Sequence, residues 1–416
     1  MNEASSLDLM RNRWKIAAAG VAMQMMLGTV YAWSVFKKPL FAAHQNHGWL
    51  EQHIGFTFTL TIFFLGLSAA ICGRFVDKAG SRRIASAAAV LFGLGTALAG
   101  VADATHQLWL LWLGYGVIAG IGNGLGYVTP VAVLVRWFPD KKGFITGLAV
   151  MGFGLGAAIM GQVAPLTIKY WGISQTFYAA GCLFLVGMLI AAQKLENPPA
   201  DWAVAPKSAK AASTAASLDL KAARGTYQFY VLWAILFLNV TAGIALISNL
   251  SNMAQKQLEI GAVLAGTIVF VTSLFNGFGR LFWGSLSEKI GRRNVFLLIF
   301  LTQIPLFFIL PHVANKALFT IICSYILLCY GGGFGTMPSF AADTFGPKHI
   351  GAIYGTILLA WGVAGAAGPM LMEWMYARTQ SFQIALTIAA VLLCVGFVVA
   401  LLYRKPKLRP SAEEPA

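Results

Sequence analysis

The sequence predicts an all-α membrane protein: twelve transmembrane helices in two pseudo-symmetric six-helix halves. Three observations carry that expectation. The 416-residue chain is 58% hydrophobic and only 11% charged, with a mean hydropathy of +0.71, which leaves too little polar surface to coat a soluble fold. Apolar runs of about 20 residues, each long enough to cross a hydrocarbon core of ~30 Å as a helix, recur roughly every 30 to 35 positions. Markers in the first half of the chain return in the second at a nearly constant offset.

Taken in order, the runs cover approximately residues 14–36, 54–73, 84–103, 108–135, 144–168, 173–193, 228–250, 260–284, 294–312, 317–341, 351–375 and 381–403. The first follows Arg11, Arg13 and Lys15 without a small-residue cleavage site after a short core, so it reads as a retained span rather than a signal peptide. Between runs 6 and 7 lies the only long linker, 194–226, rich in Ala, Ser, Pro and Lys. It divides the chain into an N-terminal half (1–193) and a C-terminal half (227–403), followed by a tail (404–416).

Charge placement orients the spans. Of the 30 Lys and Arg, 23 fall in the N-terminus, the even-numbered loops and the C-terminus, and six (Lys37, Lys38, Lys169, Lys256, Lys316, Arg378) fall in the odd-numbered loops. Basic loops stay cytoplasmic, so both termini are expected inside, with the chain in the inner (plasma) membrane. The net charge of +15 is thereby a topology signal, and no nucleic-acid partner is called for. The five cysteines all lie within spans, odd in number and without metal-ligand spacing, so neither a disulfide framework nor a metal site is expected. No cofactor is expected either.

The repeat rests on three markers. GRFVDKAGSRR at Gly73 to Arg83 returns as GSLSEKIGRRN at Gly284 to Asn294, offset by 211; GNGLGYVTP ending at Pro130 returns as GGGFGTMP ending at Pro338, and GFITG at Gly143 returns as GAIYG at Gly351, both offset by 208. The pattern G-x-x-x-[DE]-K-x-G with trailing arginines, after spans 2 and 8, resembles the loop signature of the major facilitator superfamily. Its expected role is structural. Gly73 and Gly284 let helix ends approach closely, Asp77 and Glu288 are placed to accept hydrogen bonds from a helix N-terminus or an arginine, and Arg82 and Arg292 anchor the cytoplasmic side. The resemblance implies a substrate site near the midplane, between halves that rock to give alternating access.

One charge does not belong to any loop. Arg280 lies eight residues before Glu288, about 12 Å deeper along a helix rising ~1.5 Å per residue. An intramembrane arginine costs at least ~2.5–3.5 kcal/mol on insertion scales, so it should face a cavity or a partner, unless it snorkels to the interface. No Asp or Glu occupies the centre of any span, since Asp343 and Glu373 fall near helix ends. An anionic substrate is then the expected partner, and a guanidinium fork suits a planar carboxylate. Asn276 shares its helix face at i−4. Asn123 and Tyr127 in span 4, Tyr330 and Phe334 in span 10, and Tyr31 near the outer end of span 1 are further candidates. No span carries a histidine or paired acids, which speaks against a membrane-embedded enzyme.

A closer resemblance comes from NRW at the start of span 1, Gly28-x-x-Tyr31-x-Trp33, RWFPDKKGFITGLA between spans 4 and 5, and NGFGRLFWG in span 8. These segments are similar to the oxalate/formate antiporter and monocarboxylate transporter branch of the superfamily. The resemblance implies that Arg280 binds the carboxylate and that Tyr127, Tyr330 and Phe334 line the cavity. It also exposes two departures. The oxalate carrier's second cation, a span 11 lysine, corresponds to Trp361 here, so one cation remains and a monocarboxylate balances it where a dicarboxylate would not. The aspartate and lysine of the animal lactate carriers correspond to Asn276 and Val35. The expectation is a monomeric carrier of small monocarboxylates such as lactate or pyruvate, coupled to H+ by symport, with a dicarboxylate or formate exchanger as the alternative.

Overall fold

The structure is a computed structural model describing residues 3–199, 202 and 217–406, and their side chains except at 3–11, 34, 72–78, 262, 263, 373 and 377. About half of the expected linker (200, 201 and 203–216) and the tail from 407 onward lie outside the described residues, as do the surroundings of Gly73 and the side chains of Asp77 and Glu373.

Every expected run is helical, and no strand forms among the described residues. Span 2 is Glu51–Ala79, span 3 Ser81–Thr105, span 4 Leu108–Trp137, span 5 Lys142–Trp171 and span 6 Ile173–Ala192. Span 7 is Tyr227–Gln257, span 8 Ala262–Ile290, span 9 Arg292–Ile309 and span 10 Lys316–Phe345. Span 11 is Ile350–Ile357 continued as Leu359–Thr379, and span 12 is Gln383–Leu402. Most helices overrun their apolar cores, because an α-helix satisfies its own backbone and can continue into the polar interface.

Span 1 departs from expectation. It runs as Glu3–Gly28, passes through a 3₁₀ turn at Thr29–Ala32 and continues as Trp33–His44, with a bend of 48° between its two arms. The outer arm extends well past residue 36, so Tyr31 sits at a break in mid-span and not near the outer end. Gly28 marks the break. A Cβ there would collide with the carbonyl of Phe153 in span 5, so only glycine permits this approach.

The linkers of the repeated motif show why it ends in glycine. Gly80 joins span 2 to span 3 alone, at φ 89° and ψ 140°, and Gly291 joins span 8 to span 9 at φ 90° and ψ 147°. A one-residue reversal between antiparallel helices needs positive φ, which glycine adopts without strain. The same loop geometry is thus written twice, 211 residues apart.

The halves meet along two crossings. Span 5 crosses span 8 with Gly154 on Gly277, where a Cβ on Gly154 would lie 2.5 Å from the opposing Cα; span 2 crosses span 11 with Gly66 on Gly362, at 2.7 Å. Gly66 precedes Gly277 by 211 residues and Gly154 precedes Gly362 by 208. The two contacts are the same contact, related by the internal repeat.

Both ends of the described chain lie at one face, here called the terminal face, and that face is closed. Asp343 bridges the halves, 3.0 Å from Lys142 Nζ and 3.0 Å from Arg292 Nε. Glu288 Oε1 accepts from the Gly143 and Phe144 amides at 2.6 and 3.1 Å, capping the first turn of span 5 from the other half. Arg136 donates to the Lys348 carbonyl at 3.0 Å, and the hydroxyls of Thr146 and Ser339 meet at 2.9 Å. Arg82 by contrast pairs with the start of the linker, 3.2 Å from Glu196.

Candidate functional site

Arg280 is 0% exposed, one turn along span 8 from the Gly277 crossing. Two glycines admit its backbone: a Cβ on Gly335 of span 10 would collide with the Arg280 carbonyl, and one on Gly147 of span 5 would come within 2.5 Å of it. The arginine is held at the seam between the halves by the close approach of its own helix to two others.

Its side chain is only partly satisfied. Nη1 donates to the Val150 carbonyl of span 5 at 3.1 Å, while Nε and Nη2 have no hydrogen-bond partner. The guanidinium carbon lies 5.1 Å from the ring centre of Phe153 and 5.1 Å from that of Phe334. No carboxylate pairs with it among the described residues. Tyr31, Tyr127, Tyr330 and Tyr354 stand around it. The Tyr127 and Tyr354 hydroxyls are buried near it without closing a well-formed hydrogen bond.

Trp361 is the centre of the aromatic enclosure. Its ring lies 4.6 Å from Phe334, 5.1 Å from Tyr127, 5.6 Å from Phe153 and 6.1 Å from Tyr31, all edge-on, and its Nε1 donor is buried and unpaired. Tyr31 and Tyr330, from opposite halves, share a hydrogen bond of 2.7 Å between their hydroxyls. Beyond Tyr31, a cavity of about 30 Å³ runs along Thr272, Ser273 and Asn276, room for one water. The rings fill the space before Arg280, so an anion reaches its free edges only when they part.

Of the residues singled out from sequence, Arg280, Tyr31, Tyr127, Tyr330, Phe334 and Trp361 come together in this enclosure. Asn276 lies at its margin, buried with Oδ1 unpaired. Asn123 is committed elsewhere: its Nδ2 donates to the Leu27 carbonyl at 3.0 Å and ties span 4 to span 1. Gly284 packs on Gly143 beside the Glu288 cap, and Arg292 is spent on Asp343 and Ser287.

Three contributors were not anticipated. Val150 acts through its carbonyl, which no side-chain pattern reveals. Tyr354 looked like a landmark in the repeat. Phe153 lies 208 residues before Trp361, so the repeat offset pairs the two rings that face each other across the site.

Comparison with known proteins agrees with this architecture. The sequence profile of the Major Facilitator Superfamily matches residues 16–369. Similar curated proteins include the uncharacterized MFS-type transporter YhjX of Escherichia coli, 28% identical over 85% of this chain and 86% of that protein. The oxalate:formate antiporter of Oxalobacter formigenes is 26% identical over 95% of this chain and 92% of its own length. Apicoplast pyruvate carrier 1 of Toxoplasma gondii is 25% identical over 74% and 66%. Among solved structures, the transporter FucP in its outward conformation superimposes with a TM-score of 0.70 at 16% identity, over 92% of this chain and 97% of that one. The human organic anion transporter MFSD10 gives 0.71 at 13%, over 93% and 99%. At those identities the likeness shows the fold alone.

Proposed function

The chain belongs to the Major Facilitator Superfamily, and on that premise we propose that it is a secondary active transporter of small monocarboxylates of the lactate and pyruvate class. It works by alternating access, with Arg280 as the carboxylate anchor. The observation that carries this reading is a fully buried guanidinium with two unpaired donor edges and no acidic partner among the described residues. Buried charge without a counter-ion is costly, and a bound monoanion neutralises it. Trp361, Tyr127, Tyr31, Phe153 and Phe334 exclude water from the ion pair, which strengthens it. Similarity to a protein named as a pyruvate carrier supports the same substrate class.

The alternating bodies are the halves 1–193 and 227–403, joined by 194–226, and the carrier works as a monomer. Their terminal face is cytoplasmic, by the excess of Lys and Arg there, and the membrane is the inner (plasma) membrane. Coupling is to H+ by symport. The second reading, an exchanger of dicarboxylates or formate, is favoured by one observation, the 26% identity to an oxalate:formate antiporter across 95% of the chain. A lone cation in the enclosure argues against a dianion. Purified protein in liposomes, challenged with short mono- and dicarboxylates as competitors of labelled lactate or pyruvate uptake, separates the two. Strong competition by oxalate and none by pyruvate would overturn the assignment.

A further inference from the structure

At the face opposite the termini, a group of histidines plays no part in the Arg280 site. His44, the last residue of the outer arm of span 1, is 2% exposed. Its Nε2 lies 2.7 Å from Oδ1 of Asp103 near the end of span 3, and Oδ2 of the same carboxylate accepts from the Ser174 hydroxyl in the first turn of span 6. On its other side, His44 Nδ1 lies 3.1 Å from Nδ1 of His106, which caps span 3 in the left-handed conformation at φ 56°. The ring of His47 stacks on His106 at 4.2 Å and 7°, and that of Trp49 on His44 at 4.2 Å and 29°. The other charged or titratable groups on the outer ends of these and the adjoining spans are the Lys37–Glu51 pair at 3.4 Å, Lys38, His53, Lys169, Tyr170 and Tyr178.

Hydrogen-bond logic places the protons. An ionised carboxylate only accepts, so His44 donates to Asp103 from Nε2 and, when neutral, offers only a lone pair at Nδ1. His106 then donates across the 3.1 Å contact. If one proton is added, His44 becomes the donor and His106 the acceptor, and the contact survives with a single shared proton. If a second is added, N–H faces N–H and two imidazolium charges touch, with His47 stacked against one of them. The contact can hold no more than one extra proton.

We propose that this chain of groups is a proton-binding latch on the outer arm of span 1, which stays closed with up to one extra proton and opens when a second binds. Acid at this face frees the His44 end of the arm from spans 3 and 6, leaving the root packed through Trp33 and Phe36 on Tyr115 and Phe177. The root of that arm is the 3₁₀ turn holding Tyr31, whose hydroxyl bonds Tyr330 over Arg280. Opening the latch therefore eases access to the enclosure from this face, separately from any driving force a pH gradient supplies and whichever anion Arg280 binds.

Hydrogen exchange of the protein in lipid nanodiscs tests the latch without any substrate. Between about pH 7.5 and about pH 5, the range in which histidine changes charge, the segment 36–49 should lose protection relative to the outer end of span 7, after correction for intrinsic exchange. His106→Gln, which keeps a neutral hydrogen-bonding side chain, should hold that protection down to the lower pH. In liposomes with equal pH on both sides, exchange of labelled lactate should rise several-fold on acidification in the wild type and stay flat in His106→Gln. Constant protection of 36–49 across this range in the wild type overturns the proposal, even if the variant fails to fold. Equal loss of protection in wild type and variant overturns it as well.

Discussion

Arg280 is held in a water-excluded enclosure whose surroundings are of a size to offset the cost of its burial without cancelling the charge. Insertion of an arginine at mid-membrane costs at least ~2.5–3.5 kcal/mol. Two ring faces at cation–π distance contribute up to ~2 kcal/mol each when desolvated, and the Val150 carbonyl adds a charge-assisted bond of ~1.5–3 kcal/mol. The empty site is thus tolerable, yet Nε and Nη2 remain for a ligand. Arg280→Ala should lower transport about 10- to 150-fold, the equivalent of the same ~1.5–3 kcal/mol, and Arg280→Lys should not restore it, because a point charge cannot reproduce the planar fork. Uptake assayed beside membrane insertion checks both, and wild-type transport by Arg280→Ala would remove the anchor from the account. Trp361→Lys should admit dianions and weaken monocarboxylate binding, because two buried cations facing one carboxylate leave a charge uncompensated. The variant also opens a void of the kind that costs ~3–5 kcal/mol on large-to-small substitution, so dianion competition is read only in folded, active protein; continued exclusion there would count against the charge-balance argument. Arg280 was legible in the sequence because its cost makes it conspicuous. Phe153 was not, since a phenylalanine in an apolar run resembles any packing residue until the 208-residue offset sets it opposite Trp361.

Helix existence was legible almost throughout, since each span is a long apolar run and a membrane admits few other backbones. The bend in span 1 was not, because composition stays apolar across it and only Gly28 marks the point where span 5 presses in. Crossings were equally hidden: the chain has 44 glycines, and which of them touch depends on how each helix is rotated about its axis. Gly154 on Gly277 and Gly66 on Gly362 are among those that set the distance between the halves, with Gly143 on Gly284 nearer the terminal face. Gly154→Val or Gly362→Val should therefore push one crossing apart and slow transport at least tenfold, while Gly161→Val, at a position with open space around it, should not. Assayed as initial uptake rates at equal membrane abundance, similar activity of all three variants would show that the crossings bear no mechanical load. The terminal-face contacts lie on these same helices, with Glu288 capping span 5 and Asp343 joining Lys142 to Arg292. Partly exposed pairs of this kind contribute only ~0–1 kcal/mol each. Together they bias the closed state without locking it.

Transport as a whole must also balance charge. On the proposed reading, with Arg280 as anchor and a monocarboxylate as cargo, the empty site carries +1 and the loaded site none, so return of the empty carrier against a cytoplasm-negative potential costs ~2.3 kcal/mol per 100 mV. Exchange avoids that step, whereas symport needs a proton on the loaded carrier. Asp343 is poorly placed to carry it, since Lys142 and Arg292 hold its carboxylate from two sides. The substrate carboxyl, a water held by Tyr127 or Tyr330, or Glu373, whose side chain lies outside the described residues, remains. An inward pH gradient, acid outside, should then drive net accumulation into vesicles without internal substrate; accumulation that needs preloaded counter-substrate and ignores the gradient would make the carrier an exchanger. The paired glycine crossings bear on how far such a cycle disturbs its own binding site. If they act as the two pins of one hinge, displacement grows with distance from them. Lys142 lies twelve residues from Gly154, an arm of ~18 Å, while Arg280 lies three from Gly277, an arm of ~4.5 Å. A turn of about 15°, the size seen when protein subunits rotate, sweeps the first by ~5 Å and the second by ~1 Å. Contacts at the rim break outright while the arginine barely shifts, so one guanidinium can be offered to either side of the membrane in nearly the same place.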